Sequence, residues 1–249
     1  MVQRYFIAKE HWMGDHVLIE GEDVHHIVRV MRMKEGDKIV CNQPNGRAAV
    51  CQITERSEQM VKASIVEWLE QESEMPVHVA IAQGLPKGDK MELVLQKGTE
   101  LGASEFIPFQ AARSVVKWDP KKINKKSDRY KKVAKEASEQ AHRTVVPHVE
   151  TVLSFKELIK RSDDYDVKWF AYEEEAKGPQ NQKLSDLFRT VKNGQRILAC
   201  IGPEGGYTIE EVNQLIEHGF TPIRLGPRIL RTETAALYLL AGLSYHFEE

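Results

Sequence analysis

The sequence predicts an α/β protein in two parts: a small β-barrel domain over 1–72 and a mostly parallel sheet covered by helices over 73–249. Three observations carry this expectation. Throughout the second part, short apolar runs of strand length alternate with helix-length stretches, the pattern of parallel strands joined by crossover helices. The first part holds closely spaced short strands, two of which flank Asn45-Gly46, a pair suited to the positive φ angles of a hairpin turn. Between the parts lies a polar stretch, Glu70-Gln71-Glu72-Ser73-Glu74, leading into Met75-Pro76, where the pattern changes.

In chain order, 4–7 and 16–19 read as strands. Val24, Ile27, Val28 and Met31 then fall at i, i+3, i+4 and i+7 and predict one apolar helical face, which leaves His25, His26, Arg29 and Arg32 on the other side. That outer face is either a cationic contact surface or a merely solvated one. Segments 38–41 and 48–53 form the predicted hairpin. Beyond the boundary, 77–82, 106–109, 167–172, 196–201 and 222–225 are candidate strands, separated by helix-like segments over 90–101, 127–142, 155–161, 209–218 and 233–247. Asp89 with Glu92, Ser154 with Glu157 and Thr208 with Glu211 have the three-residue spacing of a capping box at a helix start.

Composition excludes several classes. With 249 residues, 41% hydrophobic, 29% charged and a formal net charge of −2, the chain has the make-up of a globular protein rather than a disordered or fibrous one. No apolar run approaches the roughly 18 residues that cross a bilayer, and Lys9 and Glu10 interrupt the start too early for a signal peptide. The expected partners therefore exclude a membrane, and the expected compartment is the cytoplasm. Cys41, Cys51 and Cys200 form no CxxC pair and are expected to be reduced, mostly buried thiols. The nine histidines include no HExxH, so no metal is expected. No Ser or Cys sits in a GxSxG setting, and covalent catalysis has no candidate.

In open parallel sheets, ligands sit at the carboxyl ends of the strands, which directs attention to the loops after Ile201 and Leu225. The first, Ile201-Gly202-Pro203-Glu204-Gly205-Gly206, lets backbone amides approach a ligand closely. It is neither GxGxxG nor a Gly-Lys-Ser/Thr loop, and its central side chain is an acid, so a phosphate cradle is not indicated. A carboxylate there suits ribose hydroxyls or a positively charged ligand; alternatively, Glu204 only complements a helix dipole. The second loop, Leu225-Gly226-Pro227-Arg228-Ile229-Leu230-Arg231-Thr232-Glu233-Thr234-Ala235, opens a strongly apolar helix. A cation at a helix N-terminus is electrostatically disfavoured, so Arg231 points to a ligand, a substrate phosphate or an ion pair with Glu233.

A third constellation is basic. From Arg113 to Arg143 there are eleven Lys and Arg residues against four acids, with Trp118 and Tyr130 interleaved, inside a nearly neutral chain. This is the charge pattern of a nucleic-acid footprint, with a solvated lysine face as the plain alternative.

IGPEGG followed by LGPRILRTETA resembles the two cofactor-loop motifs of the SPOUT-class RNA methyltransferases. More narrowly, the chain is similar to the ribosomal RNA small subunit methyltransferase E family. The likeness runs through RYFI, HHIVRVMRMKEGDKI, KGDKMELVLQKGTELG, ARSVVKW and EQAHRTVVPHV, which is nearly the whole chain. The resemblance implies a PUA-like N-terminal barrel and a SPOUT-like parallel-sheet domain closed by a trefoil knot, a feature that no strand pattern can reveal. It also implies a homodimer, S-adenosyl-L-methionine as methyl donor, and methylation of N3 of a uridine in the decoding region of small-subunit ribosomal RNA, on free RNA or on the small ribosomal subunit.

Carried over by motif, the resemblance assigns the cofactor pocket to Ile201, Gly202, Pro203, Glu204, Gly205, Gly206, Leu225, Gly226, Ile229, Leu230, Arg231, Thr234 and Ala235, with Tyr172 and Glu173 as further candidates. Arg231 is a candidate to stabilise charge on the uracil, with Arg113 and Arg143 as candidates to reach it across a dimer interface, and Glu139 and Gln140 are candidates to take its proton or orient the base. Two rivals belong to other classes. A noncatalytic RNA-binding or ribosome-assembly factor would need no intact cofactor loops, and a nucleotide-dependent oxidoreductase would want a GxGxxG after an early strand, which is not found.

Overall fold

The computed structural model describes residues 2–70, 73–116, 123–172 and 183–249. The chain divides into two compact units, Met1–Glu74 with Ser138–Val146, and Met75–Ala137 with Pro147–Glu249.

The first unit is built on strands β1 (Arg4–Phe6), β2 (Trp12–Met13), β3 (His16–Glu20), β4 (Lys38–Asn42), β5 (Ala48–Arg56) and β6 (Met60–Leu69), with a short helix α1 (Glu22–His25). They form a six-stranded mixed sheet in the order β1-β4-β5-β6-β3-β2, in which β1 runs parallel to β4 and the other pairs are antiparallel. The hairpin at Asn45-Gly46 is present: Gly46 takes φ +86° and the Arg47 amide donates to Asn45 Oδ1 at 3.1 Å. Alternate residues of the strands, among them Val17, Ile19, Ile39, Cys41, Cys51, Ile53, Val61 and Ala63, enclose one apolar core.

Three sequence expectations change here. Strand β6 is missing from the sequence reading, although Val61 and Ala63 have the period of a half-buried strand. The predicted helical face also breaks: α1 ends at His25 and the chain widens into a π turn over His26–Val30, with the Met31 amide bonded to His26 O at 2.8 Å. The extra residue in that turn rotates Met31 outward, leaving it 40% exposed, and Met33 packs on the core instead. His26 is not on an outer cationic face either, since its Nδ1 lies 3.0 Å from the Tyr5 hydroxyl, and Arg29 is paired with Glu58.

The boundary expected at 72/73 takes no account of Ser138–Val146, which belongs to the first unit. The reason is long-range hydrogen bonding. Glu74 accepts from the Arg143 guanidinium and from the amides of Thr144 and Val145 at 3.0 and 3.2 Å. Asn42 Nδ2 donates to Arg143 O at 3.0 Å.

The second unit is a seven-stranded, all-parallel sheet of β7 (His78–Gly84), β8 (Glu105–Gln110), β9 (His148–Val149), β10 (Leu153–Ser154), β11 (Val167–Ala171), β12 (Arg196–Ile201) and β13 (Thr221–Ile223). The path runs β10-β8-β7-β12-β11-β13, with β9 beside β8. Its helices are α2 (Lys90–Glu100), α3 (Ile123–Gln140), whose last three residues belong to the first unit, α4 (Phe155–Arg161), α5 (Leu184–Phe188), α6 (Ile209–Glu217) and α7 (Thr232–Glu248). The capping boxes Ser154/Glu157 and Thr208/Glu211 form as the sequence predicts. Asp89 makes no side-chain cap bond, its backbone at φ −92° and ψ 10° lying outside the extended region usual for an N-cap, and Glu92 is turned to the Arg129 guanidinium at 2.9 Å. Ala80, Ala82, Ile107, Phe109, Phe170, Leu198 and Cys200 are fully buried in the core, which explains why these strands read as unbroken apolar runs. Cys41, Cys51 and Cys200 are free, buried thiols. Among the described residues, no helix is long and apolar enough to cross a membrane.

Candidate functional site

Because all the strands of the second unit are parallel, their carboxyl ends share one edge. From β7 the chain passes to its neighbour β8, whereas from β12 it passes the opposite way, across β11, to β13. The β7/β12 boundary is therefore the switch point of the sheet, where the loops diverge and leave a crevice. The backbones meet tightly there. A Cβ placed on Gly84 at the end of β7 would lie 2.6 Å from the backbone nitrogen of Pro203, so only glycine fits.

The two glycine-containing loops are held to this crevice by side chains from elsewhere. Thr232, the first residue of α7, donates from its hydroxyl to Gly202 O at 2.6 Å and accepts from Gln83 Nε2 at 2.7 Å. Lys90 reaches Glu204 Oε1 and Glu233 Oε2, both at 3.1 Å, and ties the first loop to the first turn of α7. Burial alone would raise the Glu204 pKa, but the hydrogen bonds from its own backbone amide, the Lys87 amide and Lys90 hold it below the ordinary carboxylate value. Glu204 is thus an ionised acid partly balanced inside the protein. The pairing accounts for one of its oxygens and is a different role from complementing a helix dipole.

Arg113, in the loop after β8, packs against the first loop. Its Nη1 donates to Gly205 O at 3.2 Å, and a Cβ on Gly205 would lie 2.9 Å from the Cβ of Arg113. Tyr172 follows β11 and its amide donates to Ile223 O at 3.1 Å, which brings the end of β11 to the start of the second loop. Arg224 Nε closes that loop on Gly226 O at 2.9 Å. Ile229 at its tip is 77% exposed. Arg231 caps α7 without a side-chain cap bond, and it makes no side-chain hydrogen bond or ion pair among the described residues. Glu233, its proposed structural partner, is occupied by Lys90.

The structure therefore gathers 201–206, 225–231, Thr234, Ala235, Tyr172 and Arg113 along one edge of the second unit. Glu139, Gln140 and Arg143 belong to the first unit. The Arg143 side chain, a candidate to stabilise charge on the uracil, is 4% exposed and paired with Glu74. The basic segment also changes character where it is described. Arg129 is paired with Glu92, and Tyr130 is buried at 8% exposure on the core side of α3 rather than offered for stacking. Glu173, Lys117, Trp118, Lys121 and Lys122 lie outside the described residues, as does the side chain of Lys125. Sequence reasoning missed Gln83, Lys90 and Thr232. The one available signal was Gln83 itself, a polar residue at the end of an otherwise apolar strand.

This edge offers backbone amides and carbonyls, an exposed aliphatic tip, one acid held by lysine and three arginines, Arg113, Arg228 and Arg231. Residues 202–206 include no Lys or Arg, and the cations at this loop, Lys90 and Arg113, are bonded to Glu204 and to Gly205 O. The donor set fits a nucleoside-like ligand.

Comparison with known proteins agrees with the architecture of both units. A family model described as an RNA methyltransferase domain matches residues 73–244, and one described as an RNA methyltransferase PUA domain matches residues 19–66. The chain is 48% identical to ribosomal RNA small subunit methyltransferase E of Bacillus subtilis, over 99% of this chain and 98% of that one. It is 31% identical to the Mycobacterium bovis protein of the same name, over 92% of this chain and 86% of the other. The crystal structure of ribosomal RNA small subunit methyltransferase E from Neisseria gonorrhoeae bound to S-adenosyl methionine superposes with a TM-score of 0.86, at 27% identity and 98% coverage of both chains.

Proposed function

Because this chain belongs to the ribosomal RNA small subunit methyltransferase E family of SPOUT-class RNA methyltransferases, we propose that it methylates N3 of a uridine in small-subunit ribosomal RNA, with S-adenosylmethionine bound at the β7/β12 crevice. The observation that carries the cofactor assignment is the joining of both loops at the switch point, by Thr232 to Gly202 and by Lys90 to Glu204 and Glu233. The relative from Neisseria gonorrhoeae, of the same fold, binds this cofactor.

The residues fit it. The 202–206 segment offers backbone amides to a ligand, the acid Glu204 suits ribose hydroxyls or a positive centre, and the exposed Ile229 offers an aliphatic surface to a purine. Residues 201–206 and 225–230, with Thr234 and Ala235, would hold the cofactor, and Tyr172 would border it. When bound, S-adenosylmethionine supplies a methyl group activated by its sulfonium.

The remaining chemistry is the protein's. Uracil N3 becomes a good nucleophile only after losing its proton, and the negative charge then spreads to the two flanking carbonyl oxygens. Arg231 and Arg113 present guanidinium N–H groups at the same edge, and donors fixed in advance stabilise such a charge as an oxyanion site does. Holding base and cofactor side by side in one crevice supplies the orientation that a slow bimolecular reaction lacks. Glu139 and Gln140 are retained as proposals for proton removal or base orientation. The functional molecule is proposed to be a cytoplasmic homodimer with the knotted topology of its class, acting on the small subunit or its RNA.

Incubation with radiolabelled S-adenosylmethionine and undermethylated small subunits tests the reading. Label is expected in the ribosomal RNA. RNA binding without label would refute the enzymatic assignment and favour the assembly-factor alternative.

A further inference from the structure

We propose that Gln83 and Thr232 are positioning residues: together they form a hydrogen-bonded relay that sets both cofactor loops in the geometry that binds S-adenosylmethionine. The inference rests on the reading of the crevice as the cofactor site. Neither side chain is among those that the family motifs assign to that site.

The direction of the relay follows from proton inventory. The Thr232 hydroxyl has one proton, and Gly202 O, at 2.6 Å, can only accept it. The Thr232 oxygen is then left to accept from Gln83 Nε2 at 2.7 Å. The second amide proton of Gln83 goes to Gly84 O at 3.1 Å. Turning the amide over would aim its oxygen at the Gly84 carbonyl, so the observed orientation is the one the surroundings permit. Gln83 Oε1 is buried and accepts no hydrogen bond from the described residues. An amide kept in a fully buried position with its acceptor unsatisfied is held there by what its N–H groups do for their neighbours.

Those neighbours are the parts of the crevice that have to agree. Gly202 opens the first loop, and Thr232 follows Arg231 and starts α7, so it ends the second. Gln83 sits in the strand where Gly84 meets Pro203. The relay therefore registers two loops against one rigid strand, although its members lie 149 and 30 residues apart in the chain. Turning the Gly202 carbonyl inward toward Thr232 fixes the peptide plane from which the rest of the loop departs. The start of α7, and with it the backbone of Arg231, is anchored by the same hydroxyl.

The test uses the full chain carrying Thr232→Val, Thr232→Ser, Gln83→Met, or the Val and Met changes together. Valine keeps the shape of threonine but leaves Gly202 O without its hydroxyl donor and one of the two Gln83 Nε2 protons without an acceptor, the other still bonding Gly84 O. Calorimetry without RNA is expected to show S-adenosylmethionine binding weakened about tenfold or more in Thr232→Val and Gln83→Met, and nearly normal in Thr232→Ser. KM for the cofactor should rise in step, with a much smaller change in kcat at saturation. The double variant should be no worse than the weaker single, since both break one relay. Wild-type affinity per folded molecule in either single variant, or losses that add in the double, would overturn the proposal. If Thr232→Val fails to fold, Gln83→Met and Thr232→Ser decide by the same criteria. A wild-type protein that binds no S-adenosylmethionine would instead overturn the functional reading on which the relay rests.

Discussion

Replacing Arg231 with alanine separates a catalytic guanidinium from a structural one. Arg231 is the N-cap of α7, with φ −65° and ψ 153°, and contributes no side-chain cap bond. Its carbonyl accepts from the Ala235 amide at 2.9 Å, a bond that alanine keeps. It holds no carboxylate among the described residues, since Glu233 belongs to Lys90. Removal therefore breaks no ion pair among the described residues. It also relieves a cation at the positive end of a helix, an effect of about 0.3–1 kcal/mol, so stability should stay level or rise slightly. For a chain of this size that shifts the thermal midpoint by no more than about 4 °C. Turnover behaves differently, because loss of one donor aimed at developing charge typically lowers it about a hundredfold to a thousandfold, or roughly 3–4 kcal/mol. The assay is single-turnover methyl transfer at saturating S-adenosylmethionine, with calorimetry and thermal melting on the same preparation. A wild-type transfer rate in Arg231→Ala would refute the reasoning, and so would a midpoint loss well beyond that range.

Four further outcomes follow from the geometry. Gly205→Val puts a Cβ 2.9 Å from the Arg113 side chain and 3.0 Å from its carbonyl oxygen, so the loop has to move and calorimetry should show lost cofactor binding in a folded protein. Glu204 titrates below its ordinary value, so its ion pair with Lys90 is complete above the unfolded carboxylate pKa of about 4.3 and lost as pH falls through the lower folded value. Lys90→Met removes one of the causes of that depression, and the acid-side loss of cofactor affinity should begin at higher pH than in the wild type. Arg143→Ala leaves Glu74 without its guanidinium partner in a largely buried site and should destabilise the first unit by about 3 kcal/mol, measured by urea denaturation. Changing Lys122, Lys125, Lys126 and Lys132 to glutamine should flatten the salt dependence of RNA affinity, because fewer counterions are released; an unchanged slope returns the segment to a solvated face.

What was legible in the sequence is what depends on neighbours in the chain. The strand over Arg196–Ile201 and the helix over Phe155–Arg161 are present at the predicted bounds, the first because it is apolar on both faces and the second because Ser154 and Glu157 form its cap locally. The two loops were legible as well, since Gly and Pro at a strand's end report backbone shape directly. Where a residue has two possible partners, local reasoning fails. Glu92 looked like the partner of Asp89 and is taken by Arg129, which lies 37 residues away. Met31 kept helical spacing on paper, but one extra residue in a π turn moved it to the surface. Arg143 read as the end of a basic run and a candidate partner of the uracil, and only the fold shows its pairing with Glu74. Gln83 and Thr232 are the extreme case, because no local pattern links them.

The nucleoside that carries the new methyl group tests the central claim most directly. Undermethylated small subunits would be incubated with the protein and S-adenosylmethionine, and the ribosomal RNA digested to nucleosides and read by mass spectrometry. The proposed reaction predicts N3-methyluridine, formed in the presence of the wild-type chain and strongly reduced with Arg231→Ala. A methyl group on ribose, on uracil C5 or on another base would contradict it.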